Sequence, residues 1–296
     1  MNKLIVLVGL PASGKSTYAK NVLASEDTIV LASDELRKEL LGDENCQSNN
    51  QLVFDTLYRR AKENLQKGLN IVIDATNINI KDRKRTLSWF KGMNIKRVAI
   101  VFATPFEVCY ERDKKRERTV GKEVIDKFLY RFEIPMEYEG FDKIEIVDSD
   151  DERYDILELK NQMDGTEQFN PHHKYTIGVH CGKCVGELLA RTNHSLLLAS
   201  GAWHDIGKLF TKTVGDDGIA HYYSHHNVGA YIMLCSGMID REIIFYINFH
   251  MSPFFWKEEK THQKYKQLFG DKLYNNLMLL HKCDKIASGT NGDYDE

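Results

Sequence analysis

Short apolar runs alternate with amphipathic stretches over the first half of the chain. Five of these runs are rich in Val and Ile and lack strict alternation, which is typical of parallel strands buried on both faces. The stretches between them have helical periodicity, as in QLVFDTLYRRAKENLQKG over 51–68. This repetition predicts an α/β domain over residues 1–150, with a parallel sheet flanked by helices on both faces. The predicted strands are LIVLVGL (4–10), TIVLAS (28–33), NIVIDAT (70–76), KRVAIVFA (96–103) and KIEIVD (143–148).

The second half of the chain shows no comparable series of strands. Its apolar segments have the length and periodicity of helices, so we expect an all-α domain over residues 173–296. The polar stretch NQMDGTEQFNPHHK (161–174) indicates a linker, which we place at 151–172. The predicted helices are YTIGVHCGKCVGELLART (175–192), HSLLLASGAWHDIG (194–207), SHHNVGAYIMLCSGM (224–238), REIIFYINFHM (241–251) and DKLYNNLMLLHKCDKIASG (271–289).

Length and composition agree with two globular domains, since the chain has 296 residues, 42% hydrophobic and 28% charged. A net charge of −3 does not indicate a polyanionic partner. Only two local basic runs favour such a partner, KDRKR (81–85) and ERDKKRERTVGK (111–122). A solvated helix face is the ordinary explanation of such runs. The first apolar run is too short to span a membrane, and the six cysteines are scattered. We therefore expect free thiols, a cytoplasmic location and no membrane contact.

A phosphate-binding motif follows the first predicted strand. The segment from Gly9 to Ser16, GLPASGKS, matches G-x-x-x-x-G-K-[ST] and leads into a predicted helix. In this setting backbone N–H groups at the helix N-terminus hold nucleotide phosphates, Lys15 neutralises the β and γ phosphates, and Ser16 ligates Mg²⁺. The motif predicts a site for ATP and Mg²⁺. Its expected nucleotide contacts are Gly9, Ser13, Gly14, Lys15, Ser16 and Thr17.

Charged residues follow at the ends of the next strands. Asp34 in SDELR is expected to take the proton from an attacking hydroxyl, and Arg37, one helical turn on, to position the acceptor phosphate. The alternative is that Ser33 caps a helix whose first turn favours acidic residues. The run ERDKKRER is expected to form a basic lid over the phosphates, with Arg112 and Arg116 on one helix face.

With the motifs GLPASGKST, SDELR, DATN and ERDKKRER, residues 1–150 resemble the kinase domain of phage-type 5′ polynucleotide kinases and their bacterial relatives. The resemblance implies an α/β P-loop kinase domain in which Asp34 is the general base for a 5′-hydroxyl. It also implies that Arg37 contacts the acceptor and that Arg116 contacts the ATP phosphates, with Arg118 as a further lid residue. Small-molecule kinases share much of this pattern.

All 11 histidines lie after residue 171, which favours a site in the second half. Several lie in separate helical stretches together with aspartates. Imidazole and carboxylate ligands suit a hydrolytic centre containing Mn²⁺, Ni²⁺, Zn²⁺ or Fe²⁺. Lys208, one turn after Asp205, is expected to bind a substrate phosphate. The candidate metal ligands are His180, His204, Asp205, His225, His250 and Asp284.

The segments YTIGVHC, GAWHDIGK, HYYSHHNVGA, NFHMS and HKCDKIASG resemble the HD phosphohydrolase superfamily over residues 172–290. The resemblance implies an all-α HD domain with two metals that share Asp205. His225 is a choice between neighbours, because His221 and His226 lie close to it in the sequence. The first metal would be held by His180, His204, Asp205 and Asp284, and the second by His225 and His250 with Asp205 bridging.

Together the two resemblances imply a bifunctional enzyme that heals nucleic-acid ends. The first domain would phosphorylate 5′-OH ends of RNA or DNA, with a nucleoside triphosphate as donor. The HD domain would remove a 3′-phosphate or a 2′,3′-cyclic phosphate. One alternative is a nucleoside or nucleotide kinase fused to a nucleotidase. Another is a nucleotide-gated nucleic-acid-binding regulator, against which the catalytic character of Asp34 and the metal cluster speak.

Overall fold

The computed structural model describes residues 1–44, 46, 48–148, 153–169, 174–238 and 240–289. The chain forms two compact units. The N-terminal unit comprises Met1–Phe128 and Pro135–Glu152, and the C-terminal unit comprises Leu129–Ile134 and Arg153–Glu296. The predicted domain boundaries stay a prediction, and His172, His173 and the C-terminal segment 290–296 lie outside the described residues.

The N-terminal unit contains a parallel sheet with the strand order β2-β3-β1-β4-β5. The prediction of a parallel sheet with flanking helices is confirmed. The first and third strands end two residues earlier than predicted, because residues 9–10 and 75–76 belong to loops. The strands are β1 (Lys3–Val8), β2 (Thr28–Ala32), β3 (Asn70–Asp74), β4 (Lys96–Ala103) and β5 (Lys143–Asp148).

Helices connect these strands, and the central strand β1 is buried on both faces. Val6 and Leu7, which point to opposite faces, are each 0% exposed. Burial on both faces explains why the strand sequences are continuously apolar. The helices are α1 (Lys15–Tyr18, continued by a π-helical turn Ala19–Leu23), α2 (Ser33–Leu41), α3 (Asn50–Gln66), α4 (Ile80–Ser88), α5 (Phe106–Lys114) and α6 (Lys122–Leu129), and a 3₁₀ turn spans Glu137–Glu139.

Because the strands are parallel, the loops that follow β1, β3 and β4 meet at one edge of the sheet. The Gly9 N–H donates to the Thr76 carbonyl at 3.1 Å, and Thr104 Oγ1 donates to the Ser13 carbonyl at 3.0 Å. The carboxyl edge of an open parallel sheet is the usual place for a ligand. The phosphate loop is thus held on both sides by its neighbours.

A buried ion pair supports the loop after β3. Asn77, at a left-handed φ of 44°, donates its side-chain amide to the Leu7 carbonyl at 2.9 Å. Its own carbonyl accepts from Arg83 Nη1 at 3.1 Å, while Arg83 Nε and Nη2 bind the Glu139 carboxylate at 2.7 and 2.8 Å. Arg83 is 0% exposed. The pair therefore holds Asn77 in place, and Asn77 holds the strand that leads into the phosphate loop.

The C-terminal unit is helical, as predicted, and the five predicted helices are present. The sequence analysis missed a helix inside the predicted linker, the short helix Lys208–Thr211, another helix before the last one, and a small hairpin of β6 (Thr213–Val214) and β7 (Ala220–His221). The helices are α7 (Ile156–Gly165), α8 (Ile177–Leu189), α9 (Ser195–Trp203), α10 (Lys208–Thr211), α11 (His225–Cys235), α12 (Arg241–Phe249), α13 (Glu259–Phe269) and α14 (Asp271–Ala287), with a 3₁₀ turn at Ser252–Phe255.

The segment Leu129–Ile134 belongs to the C-terminal unit, although its sequence lies in the first half of the chain. The Phe132 carbonyl accepts hydrogen bonds from the amides of Asn227 and Asn248, at 2.7 and 2.9 Å. The Phe132 ring packs edge-on against Tyr231, with 5.0 Å between the centroids. Among the described residues, no helix has the length and apolar character needed to cross a membrane.

Replacing Glu139 by Ala should destabilise the protein by about 3–5 kcal/mol, because it leaves the Arg83 guanidinium buried without its carboxylate. The double variant Arg83→Met/Glu139→Leu should recover much of this loss. Urea unfolding followed by circular dichroism measures both. The matched control is Glu63→Ala, which breaks the exposed Arg59–Glu63 pair at 2.9 Å and should cost less than about 1 kcal/mol. Equal costs for Glu139→Ala and Glu63→Ala would contradict the role of the buried pair.

Candidate functional sites

The phosphate loop has the backbone that its motif requires. Ala12 and Gly14 have left-handed φ values of 62° and 94°. Gly9 must lack a side chain, because a Cβ there would lie 2.8 Å from Ser13 Oγ and 3.1 Å from Phe102 Cβ. The helix α1 starts directly after Gly14, so the predicted contacts Lys15, Ser16 and Thr17 occupy its first turn. Backbone amides at such a helix start are suited to bind phosphate oxygens.

Lys15 lies folded against the loop. Its ammonium donates to the Leu10 carbonyl at 2.6 Å, and the residue is 7% exposed. Burial lowers the pKa of Lys15 to about 8, although Asp74 opposes this shift. Asp74 ends β3 next to β1 and is itself buried.

The sequence analysis quoted Asp74 within DATN but gave it no role. In phosphate-loop enzymes a Ser or Thr of the loop and an aspartate at a strand end hold Mg²⁺ together. Ser16 and Asp74 therefore fit a Mg²⁺ site. An acidic residue that ends an apolar strand was the available signal.

Asp34 lies between two arginines. Its Oδ1 accepts from Arg37 Nη1 at 2.9 Å, and its Oδ2 accepts from Arg118 Nη1 at 3.1 Å. The Asp34 side chain is 55% exposed, whereas Arg37 is 5% exposed. Ser33 is not the N-cap, because Ala32 occupies that position, but the acidic residues Asp34 and Glu35 do lie in the first turn of α2. Asp34 therefore presents a carboxylate to solvent, and the buried Arg37 holds the orientation of that carboxylate.

The three lid arginines contact different parts of the site. Arg112 Nη1 lies 3.8 Å from the position that a Cβ at Gly14 would take. The positive charge of Arg116 acts on Lys15 and opposes its protonation, while Arg118 pairs with Asp34. Arg112 and Arg116 do not share a helix face, because α5 ends at Lys114 and Arg116 lies in the following turn.

A buried carboxylate anchors the lid. Asp113, 3% exposed, accepts from the backbone N–H groups of Val120 and Gly121 at 3.1 and 2.9 Å. It also lies between the lid residues Arg112 and Arg116, and its own carbonyl accepts from the Arg116 N–H at 3.1 Å. Both ends of the lid are thus tied to one residue of α5.

The second site lies in the C-terminal unit, where helix ends converge. His204 ends α9, His250 ends α12, and His225 begins α11. His180 and Asp284 come from the interiors of α8 and α14. Together with Asp205, which follows His204, these are the six predicted metal ligands, and all six are buried.

The six residues form two groups that share Asp205. In the first group His180 Nε2 lies 2.9 Å from Asp284 Oδ1 and 3.1 Å from His204 Nε2. His180 Nε2 is also 3.4 Å from Asp205 Oδ2.

In the second group the Nε2 atoms of His225 and His250 lie 3.3 and 3.7 Å from Asp205 Oδ1 and 3.1 Å from each other. Two triads, His180/His204/Asp205 and Asp205/His225/His250, each have candidate ligand atoms that lie within 4.8 Å of one another. The structure brings His225 to Asp205, whereas His226 and His221 are in neither triad.

Three of the four imidazoles are oriented as metal ligands require. The Nδ1 atoms of His204, His225 and His250 lie 2.9, 2.7 and 2.8 Å from backbone carbonyls. An Nδ1–H that donates to a carbonyl leaves the Nε2 lone pair directed at the cluster. Burial lowers the pKa of His250 to about 4, so its ring is neutral at physiological pH. The Nε2 atoms of His225 and His250 are 3.1 Å apart, and their lone pairs repel each other unless a cation lies between them. This donor set therefore fits divalent metal ions.

Two glycines bring the second triad together. A Cβ on Gly207 would lie 1.9 Å from the His225 carbonyl and 2.6 Å from the Gly229 nitrogen. A Cβ on Gly229 would in turn lie 3.1 Å from the Gly207 nitrogen. Because both lack side chains, the segment after Asp205 can approach α11 closely. The glycine of the HDIGK sequence therefore sets the distance between Asp205 and His225.

Lys208 is held by a residue that the sequence analysis missed. Its Nζ lies 2.7 Å from Asp205 Oδ2 and 2.8 Å from Gln168 Oε1. Gln168 is 1% exposed and lies in the predicted linker. The backbone carbonyl of Gln168 also accepts a hydrogen bond from the Tyr222 hydroxyl at 2.6 Å. No sequence signal marks Gln168, because it is an isolated polar residue whose partner is 40 positions away.

The variant Gly207→Ala should destabilise the protein by about 3 kcal/mol, because the new methyl group overlaps the His225 carbonyl. We expect the thermal midpoint to fall by roughly 10 °C. The matched control is Gly182→Ala in α8, where a Cβ meets nothing within 4 Å. That variant should be neutral or stabilising by up to about 1 kcal/mol. A similar midpoint for both variants would contradict the close approach.

Comparison with known proteins gives partial matches. Residues 4–135 match the protein family described as "AAA domain". An L-seryl-tRNA(Sec) kinase of Methanococcus maripaludis is 28% identical over 171 residues, which are 54% of this chain and 64% of the relative. A protein of Acanthamoeba polyphaga mimivirus, provisionally named a bifunctional polynucleotide phosphatase/kinase, is 30% identical over 153 residues, 49% of this chain and 33% of the relative. The chain thus spans less than two thirds of either relative.

Solved structures give similar coverage. A chain of the Pnkp1/Rnl/Hen1 RNA repair complex is 26% identical over 43% of this chain and 42% of that chain, with a TM-score of 0.39. The APS kinase CysC of Mycobacterium tuberculosis is 20% identical over 50% of this chain and 90% of that chain, with a TM-score of 0.37. The parallel sheet, the phosphate loop and the match over residues 4–135 make the N-terminal half similar to P-loop kinase domains.

Proposed function

We propose that this chain is a bifunctional enzyme that restores ligatable ends to broken nucleic-acid strands. The N-terminal unit phosphorylates 5′-OH ends of RNA or DNA with ATP and Mg²⁺. The C-terminal unit acts as an HD-type phosphohydrolase on a 3′-phosphate or 2′,3′-cyclic phosphate. The observation that carries the proposal is the presence, in one chain, of a phosphate loop beside an arginine-held carboxylate and of a buried His/Asp cluster.

In the kinase reaction Asp34 accepts the proton of the 5′-hydroxyl. The hydroxyl oxygen attacks the γ phosphorus of ATP, and ADP leaves. Arg37 orients Asp34 and binds the acceptor. Lys15, Arg112 and Arg116 stabilise the charge that spreads over the transferring oxygens. Arg118, which pairs with Asp34 at 3.1 Å, must move aside as the hydroxyl arrives. Two relatives support a nucleic-acid-linked acceptor, since one is named for a seryl-tRNA and the other for a polynucleotide.

In the hydrolytic reaction the divalent metals would supply a bound water of lowered pKa and would polarise the phosphoryl oxygen. His180, His204 and Asp284 would hold one ion, and His225 and His250 the other, with Asp205 shared. Lys208 neutralises and orients Asp205, with which it pairs at 2.7 Å in a position that is 4% exposed. The direct contact of Lys208 with a substrate phosphate stays a prediction.

The variant Asp34→Asn should lower 5′-phosphorylation by about 10²–10⁴-fold, because an amide cannot accept the hydroxyl proton. Transfer of the γ-phosphate from labelled ATP to a 5′-OH oligonucleotide measures the effect. Lys15→Ala should also abolish this transfer, and both variants should still release a 3′-phosphate. The matched control is Glu35→Gln, since Glu35 is the exposed next residue of α2 and pairs with Lys20. Kinase activity that is lost in Glu35→Gln but kept in Asp34→Asn would refute the assignment of Asp34 as the general base.

The variant Asp205→Asn should lose metal at both positions, because it removes the negative ligand that the two triads share. Release of a 3′-phosphate should fall by more than about a hundredfold, since even outer-shell partners of a metal contribute 10–100-fold. Metal content by elemental analysis and phosphate release measure the two effects. The control is Asp216→Asn, an exposed aspartate between β6 and β7. If Asp205→Asn keeps its full metal content and 3′-phosphate release, the assignment of Asp205 is wrong. If Asp205→Asn also loses 5′-phosphorylation, the two sites are not independent.

A further inference from the structure

The basic run KDRKR (81–85) has no part in the two proposed reactions. It lies on α4, which starts at Ile80, directly after the loop that follows β3 at the carboxyl edge of the sheet. Arg83 points inward and is buried with Glu139. The other three cations, Lys81, Lys84 and Arg85, are exposed. Their spacing of three and four residues places them on one face of the helix.

Hydrogen bonds connect this face to the acceptor side of the kinase site. Arg37 donates Nη1 to Asp34 and Nη2 to Asn50 Oδ1, each at 2.9 Å. Arg85 donates Nη2 to Gln51 Oε1 at 2.7 Å. Asn50 and Gln51 are consecutive at the start of α3, and consecutive Cα atoms are about 3.8 Å apart. The contacts therefore run from Asp34 through Arg37 to Arg85.

The Asp55 carboxylate lies near this face. Asp55 Oδ1 is 3.8 Å from Arg85 Nη2, and both Asp55 oxygens accept from Gln51 Nε2, at 2.7 and 2.6 Å. Asp55 therefore orients Gln51 and shares its charge with an amide. Arg85 keeps 46% of its side chain exposed. Its guanidinium is open to a ligand that approaches from solvent along α4.

We propose that Arg85, Lys81 and Lys84 bind the backbone phosphates of the acceptor strand on the 3′ side of its terminal nucleotide. The inference rests on the proposed kinase function and specifies its substrate class. The 5′-hydroxyl lies at Asp34, Arg37 contacts the terminal nucleotide, and the exposed face of α4 takes the following phosphates. Cations bind phosphodiesters without reading bases, so the acceptor is a polynucleotide of any sequence. A nucleoside acceptor would leave this face without a ligand.

Binding tests this directly. A 5′-OH oligonucleotide of about twelve nucleotides, labelled at its 3′ end, is titrated with the full-length protein at several salt concentrations and followed by fluorescence anisotropy. The variant Lys81→Ala/Lys84→Ala/Arg85→Ala should reduce the slope of log affinity against log salt by about 2, since each lost contact with a single strand removes about 0.7. The control Lys62→Ala/Lys67→Ala removes exposed lysines at the opposite end of α3 and should keep the wild-type slope.

Kinetics give a second readout. For each protein the kcat/KM for the oligonucleotide is divided by the kcat/KM for a nucleoside 3′-phosphate acceptor. The triple variant should lower this ratio by about tenfold or more. A wild-type slope and ratio in the triple variant, or an equal change in the control, would overturn the inference. If the wild type phosphorylates neither acceptor, the proposed kinase function fails, and the salt slopes still decide whether this face binds a polynucleotide.

Discussion

Each candidate site holds a carboxylate among basic side chains, next to the position that the proposed reactions would give to an anionic phosphate. This constraint accounts for much of the arrangement. In the N-terminal unit Asp34 lies between Arg37 and Arg118. In the C-terminal unit Asp205 lies between Lys208 and the imidazoles of both triads. Basic groups at short range orient such carboxylates, and a buried carboxylate such as Asp205 would be far less stable without them.

The same geometry depends on close approach of the backbone. Gly9 lets the phosphate loop pack against Phe102 of β4, and Gly207 lets the segment after Asp205 pack against α11. A methyl group at Gly207 would overlap backbone atoms of α11, and one at Gly9 would crowd the Ser13 hydroxyl and the Phe102 Cβ. The glycines of the two motifs thus act through packing, while their neighbours carry the chemistry.

Local features of the fold could be predicted from the sequence, and non-local ones could not. The strands and the longer helices follow from apolar periodicity, which depends on a few neighbouring residues. The phosphate loop follows from the spacing of Gly9, Gly14 and Lys15.

Other features depend on partners that are distant in the sequence. Gln168 meets Lys208 across 40 positions, Arg83 meets Glu139 across 56, and Phe132 binds Asn248 across 116. Polar composition suggested a linker where α7 in fact lies, because its residues are mostly exposed. Arg116 was placed on a helix that ends before it.

The most direct measurement uses one oligonucleotide that bears a 5′-OH and a 3′-phosphate. It is incubated with the wild-type protein, ATP, Mg²⁺ and Mn²⁺ or Ni²⁺, and both ends are read by mass spectrometry. The account predicts that the strand gains a phosphate at its 5′ end and loses the one at its 3′ end. A strand that leaves the reaction with both ends unchanged, while the protein still binds ATP, would contradict it.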